Sequence, residues 1–204
     1  MMHRTHRRGT GDDGAVLIES AFVLPVFLLF VFGIIEFGLF FAASATTTST
    51  TRDAARFAST SFGVSADKTA AANAIRDVVV KDAKANTTQD VPVRLWIYKA
   101  NANGFPDALT NFSACTTNCY QYTWNAATSN FDLAGGATPP NPWSTPDACL
   151  SGSQTPPGLE SIGVYLEVRH TYVTKTLNAM LGPSSLISEK TVSQLEPLPV
   201  AQCP

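Results

Sequence analysis

Basic residues are missing from a long stretch of this 204-residue chain: no Lys or Arg stands between Arg8 and Arg52. Charged residues as a whole make up 15%, low against the ~25% of ordinary soluble domains. The formal net charge is −2, so no excess of positive charge draws the chain to nucleic acid. Three His and four Cys are little material for a metal or catalytic centre. No GxSxG, HExxH or Walker loop occurs, and with them go the usual signatures of serine hydrolases, zincins and P-loop NTPases. No cofactor, metal or catalysis is expected. At one domain per ~150 residues, the length suggests one folded domain plus an appendage.

The appendage is N-terminal. Residues 1–14 form a short polar, basic leader with Arg4, Arg7, Arg8, His3 and His6. From Ala15 to about Ala45 the chain is apolar, and Phe22 to Ile35 is unbroken, Pro25 and Gly33 included. At 1.5 Å per residue, a bilayer core of about 30 Å needs about 20 helical residues, and 20–41 meets that length. Arginines before the run and no basic residue after it until Arg52 predict a cytoplasmic N-terminus, with the chain extracytoplasmic beyond about Thr46. A signal peptide ending near Ala42-Ala43-Ser44-Ala45 is the alternative, but its apolar region is usually half this long. Two acids interrupt the helix, Glu19 near its start and Glu36 near its far end. They stand about 25 Å apart on a helix axis and cannot form one carboxylate pair. Each needs a partner or an interface position to stay ionised.

Gly14-Ala15-Val16-Leu17-Ile18-Glu19-Ser20 resembles a type IV prepilin peptidase site, with cleavage after Gly14 and Glu as the fifth mature residue. The stretch RRGTGDDGAVLIESAFVLPVFLLFVFGIIEFG resembles the TadE-like family of tight-adherence (Flp) pilus assembly proteins. Glu19, Pro25 and GIIEFG at residues 33–38 carry that resemblance, followed by TTRDAARFAS at 50–59. Ser20 and Leu39 depart from the aromatic and the Arg often found there. The resemblance implies a pilin-like (pseudopilin) helix in the membrane, with prepilin peptidase, other pilus subunits and the assembly platform as partners. It assigns processing to Gly14 and Ala15, and assembly or membrane roles to Glu19, Pro25 and Glu36.

Residues 46–204 read as one exported α+β domain. Ser44 to Thr51 has poor helix propensity. The helix is nevertheless expected to continue as a stalk to Phe62-Gly63, with Arg52, Asp53 and Arg56 opposite Ala54, Ala55, Phe57 and Ala58. A second helix is expected over 66–85, capped by Ser65 or Asp67, with a stripe of Ala70, Ala71, Ala74, Ile75, Val78 and Val79 packed on a sheet. Alternation predicts strands at 91–98, with Val91, Val93, Leu95 and Ile97 on one face, and at 161–176 and 186–195. A helical turn is expected at 176–180. His170 reads as a partly exposed sheet residue. The expected architecture is a long transmembrane helix running into a stalk, then a three- or four-stranded antiparallel sheet packed on a helix.

Residues 101–158 form a Pro-, Gly- and Asn-rich insertion, with short strands expected at 121–124 and 131–133. Cys115, Cys119, Cys149 and Cys203 are even in number and extracytoplasmic on this topology, so disulfides are expected. Cys115 and Cys119 stand too close to anchor the insertion by pairing together. The expectation is that Cys149 joins one of them and Cys203 the other. Zinc is disfavoured because there is only one close pair, spaced CxxxC. Trp96, Trp124 and Trp143 could present a sugar- or partner-binding surface, or could pin loops to a small core.

The reading that results is a minor pilin-like component of a tight-adherence pilus or secretion system, acting by helix packing. An unprocessed, signal-anchored adhesin or binding module and a small exported enzyme are the rivals.

Overall fold

The computed structural model describes residues 12–84, 89–107, 109–136, 139–149, 159–174, 178 and 182–198. The leader before Asp12, most of the turn expected at 176–180, and Cys203 lie outside the described residues.

Helix α1 runs without a break from Asp12 to Ser61, 50 residues and about 75 Å. The Ser/Thr-rich segment is helical. Thr46, Thr47 and Thr48 each return the side-chain hydroxyl to a carbonyl one turn back, on Ala42, Ala43 and Ser44, at 2.8–2.9 Å. A threonine donor is thus satisfied with no second element present. The buried face of α1 reads Glu36, Ala43, Thr47, Thr50, Thr51, Ala54, Ala55, Ala58 and Ser59. The 3–4 spacing is that of one helical face. From Ala43 onward its side chains are small, so a sheet can approach closely. Phe57, expected on this face, is partly exposed, because it follows Arg56 around the helix. After Phe62 the chain turns, and the Lys68 ammonium donates to the Phe62 and Gly63 carbonyls, both at 2.9 Å. A cation there complements the negative helix end.

Helix α2 spans Lys68–Ala83, with Asp67 as its N-cap accepting from the N–H groups of Thr69 and Ala70. Its buried residues are Ala71, Ala72, Ile75, Val79 and Val80. The stripe is turned by a residue from the expected one because α2 packs chiefly along α1 and only lightly on the sheet.

Five antiparallel strands follow: β1 Asp90–Ala100, β2 Cys119–Asn125, β3 Asn130–Leu133, β4 Ser161–Thr171 and β5 Ser184–Gln194. Their order is β3-β2-β1-β4-β5. The expected α+β architecture holds, but the insertion adds two paired strands, so the sheet has five. A register shift between Pro92 and Arg94 marks a bulge in β1, which is why Pro92 is buried while Val91 and Val93 are only partly so. The helices cover one face of the sheet over a core that includes Leu95, Ile97, Ile162, Val164 and Leu166.

The insertion covers the other face. There Trp96, Tyr98, Tyr165, Cys115 and Cys119 form a second core with Phe112 packed on it. Tyr98 lies across Gly163, its partner in the β1–β4 ladder, and donates its hydroxyl to the Gly104 carbonyl at 3.0 Å. A Cβ at Gly163 would stand 2.3 Å from the Tyr98 ring, so glycine is required by close approach. Trp143 and Trp96 are buried, Trp143 against Phe62 at 5.1 Å between ring centroids. Trp124 is half-buried, its ring edge-on to Phe131 at 5.0 Å between centroids, so all three pack on the domain's cores.

Candidate functional site: the long helix and its junction with the sheet

Gly14 and Ala15 lie in the first turns of α1 and are exposed, with nothing within 4 Å of a Cβ placed on Gly14. The bond between them is therefore sterically open. Glu19 is exposed one turn further on, on nearly the same face as Ala15. Pro25 stands inside the helix and removes one backbone donor there. Glu19 and Glu36 are not brought together; the rigid helix keeps them apart.

Glu36 is placed differently from Glu19. It is 2% exposed and sits beneath the chain leaving β4. Its Oε1 accepts the backbone N–H of Thr174 at 2.5 Å. The carboxylate is thus held by the sheet domain rather than projecting to an interface. One turn along α1, Phe40 meets the His170 ring edge-on at 5.6 Å. His170 is fully buried, and its Nδ1 lies 2.6 Å from Asp90 Oδ1. The expectation of a partly exposed histidine is corrected. His170 shares parity with Ile162, Val164, Leu166 and Val168 on β4, and that face is the helix-covered one. The parity was visible in the sequence. The Glu36–Thr174 contact was not, since nothing local links residues 138 positions apart.

Glu36 Oε2, His170 Nε2, Thr174 Oγ1 and Ser185 Oγ are buried with no hydrogen-bond partner among the described residues. This end of the domain is therefore polar beneath its surface. Above it, Thr46, Thr47, Thr50, Asp82, Asp90 and Leu166 help to line a cavity of ≈ 30 Å³. That is room for water rather than for an organic ligand.

The expected disulfide pattern is overturned. Cys115 pairs with Cys119, Cα atoms 5.9 Å apart. The pairing is feasible because the chain turns sharply at Asn118, with φ at 50°, and folds both residues onto the second core. Cys149 is also disulfide-bonded. Polar contacts also hold the insertion: Lys99 pairs with Glu160, whose second oxygen accepts the Asp147 N–H at 2.8 Å. Cys115 and Cys119, being bridged, offer no thiolate to a metal.

These features define a class: a small α+β domain carried on an N-terminal helix that, alone among the described residues, is long and apolar enough to cross a membrane. Within that class, the chain carries a TadE-like segment, for residues 14–56 match the family model described as TadE-like protein. The resemblance read from the sequence holds over those residues. The match begins at the expected cleavage point and lies wholly within α1. No curated protein and no solved structure matches the chain.

Proposed function

We propose that this protein is a minor pilin-like (pseudopilin) subunit of a tight-adherence pilus or secretion system, with a structural rather than catalytic role. In this reading a prepilin peptidase removes residues 1–14. The helix from Ala15 then crosses the cytoplasmic membrane with its N-terminus inside and the sheet domain outside, and packs against other subunits or the assembly platform.

One observation carries the proposal most of the way. Every side chain from Gly14 to Phe30 is exposed, so the family-matched helix buries its upper part in its own domain and leaves its lower part entirely to lipid or to neighbouring helices. A helix that is apolar all round finds its solvent in a membrane.

Intact-mass analysis of the protein extracted from membranes of its native producer tests this. A chain beginning at Ala15 is expected. A full-length chain would favour the unprocessed anchored module, and a chain beginning near Thr46 would favour a cleaved signal peptide.

A further inference from the structure

The chain leaving β4 is fixed at one level of α1. Thr174, three residues beyond β4, is bonded through its N–H to Glu36. Below Glu36, residues 14–35 make about 33 Å of helix at 1.5 Å per residue, against a bilayer core of about 30 Å. If that segment spans, as proposed above, Glu36 stands at the outer edge of the hydrocarbon. The hydrogen bond brings Thr174 to the same edge.

The side chains near that level are apolar and open. Val173 is 54% exposed and Leu186 is 55% exposed. On α1, Phe37 and Phe41 are also exposed. The charges nearby are arranged to suit a lipid surface. Glu36 is covered by the Thr174 backbone, and Asp90 is engaged by His170. Arg169, the cross-strand neighbour of Leu186, is exposed. Apolar side chains at the boundary with a cation beside them, whose long stem carries the charge outward, are what an interfacial contact requires.

We propose that the membrane-facing end of the β4–β5 pair is a second, peripheral contact with the bilayer, in which Val173 and Leu186 enter the headgroup–acyl boundary beside α1 and Arg169 lies at the phosphates. The contact rests on the spanning reading of α1. Its effect is to fix the domain's rotation and tilt about the helix, so that each subunit meets its neighbours in one orientation.

Site-directed fluorescence on the full chain tests it. No cysteine among the described residues is free, so one added cysteine can be labelled with an environment-sensitive dye. Val173→Cys, Leu186→Cys, Phe27→Cys and Ala102→Cys are each reconstituted in vesicles of phosphatidylethanolamine and phosphatidylglycerol. Probes at 173 and 186 are expected to emit blue-shifted and to be quenched by shallow nitroxide lipids. The probe at 27 should be quenched by deep ones, and the probe at 102 only by aqueous iodide. Probes at 173 and 186 that behave like 102, with 27 deep, would overturn the inference alone. A probe at 27 open to iodide would overturn the spanning reading and the inference with it.

Discussion

Glu36 of the long helix accepts a hydrogen bond from the backbone N–H of Thr174, 138 residues later in the sequence. That one contact ties the exit of β4 to the helix where the apolar segment ends. Removing a buried acceptor leaves its donor unsatisfied, which costs about 1–3 kcal/mol. Glu36→Leu should therefore lower domain stability by about that amount in detergent denaturation. Glu36→Gln keeps an acceptor oxygen and should lose less than half as much. Equal losses for the two variants would show that charge, not the hydrogen bond, is what matters.

Tyr98 and Gly163 make a second such dependence. Gly163→Ala forces the Tyr98 ring to move, at a cost of about 1–3 kcal/mol for overpacking. Tyr98→Leu frees the space, so the double variant should lose less than the sum of the two single ones. Thermal unfolding of the four proteins reads this directly. Strict additivity would mean that the two residues do not share the site.

Much of the fold was legible in the sequence because each element carries its own periodicity. The apolar helix and all five strands follow from local pattern, whereas the run through Ser44 to Thr51 follows from the helical face of Arg52, Asp53 and Arg56 beyond it and not from propensity. What stayed hidden depends on the third dimension. Phe57 and the stripe of α2 depend on where α1 and the sheet lie. His170 reads as ordinary until its strand face is known to lie under Phe40. Of the candidate site, Gly14, Ala15, Glu19 and Pro25 come from the resemblance of one contiguous segment, and the structure places them on one exposed stretch of α1. The burial of Glu36 was not, because its partner is a backbone group far along the chain. The cysteine pairing failed for a different reason. The chain turns back sharply at Asn118 and brings Cys119 onto Cys115, which leaves Cys149 to anchor the insertion through a separate bridge.

The Cys115–Cys119 bridge closes a short loop, and the chain-entropy model assigns such a loop about 2 kcal/mol. The paired variant Cys115→Ser/Cys119→Ser should lose no more than that and still fold. Non-reducing peptide mapping of the native protein should release a fragment linking 115 to 119. A fragment joining either residue to Cys149 would contradict the structure.

Alkali should unfold the domain. Burial pushes the phenol pKa of Tyr98 and Tyr122 well above 10, and does the same less strongly for Tyr120 and Tyr165. A raised folded pKa contributes stability that is complete below the unfolded value, about 10, and is lost as pH rises through the folded one. Burial lowers the Lys68 pKa, so its penalty fades toward 10.5 and acts in the opposite sense, but it is one group against four. The melting temperature should be flat from about pH 8 to about pH 9.5 and then fall. Tyr98→Phe should soften that fall, and an unchanged slope would show that Tyr98 keeps no proton advantage on folding.

Glu19 bears the central claim. After cleavage at Gly14, the new amino group of Ala15 is largely protonated at neutral pH. It lies one turn from Glu19 on nearly the same face. An acid at that depth needs a positive partner, either in its own chain or at the terminus of an adjoining subunit. The second choice would set the axial register between helices. Piliation of a deletion strain complemented with Glu19→Gln, scored alongside leader removal, tests this most directly. The account predicts a variant that is cleaved normally, sits in the membrane and fails to restore pili. Normal pili from a normally cleaved Glu19→Gln protein would contradict it.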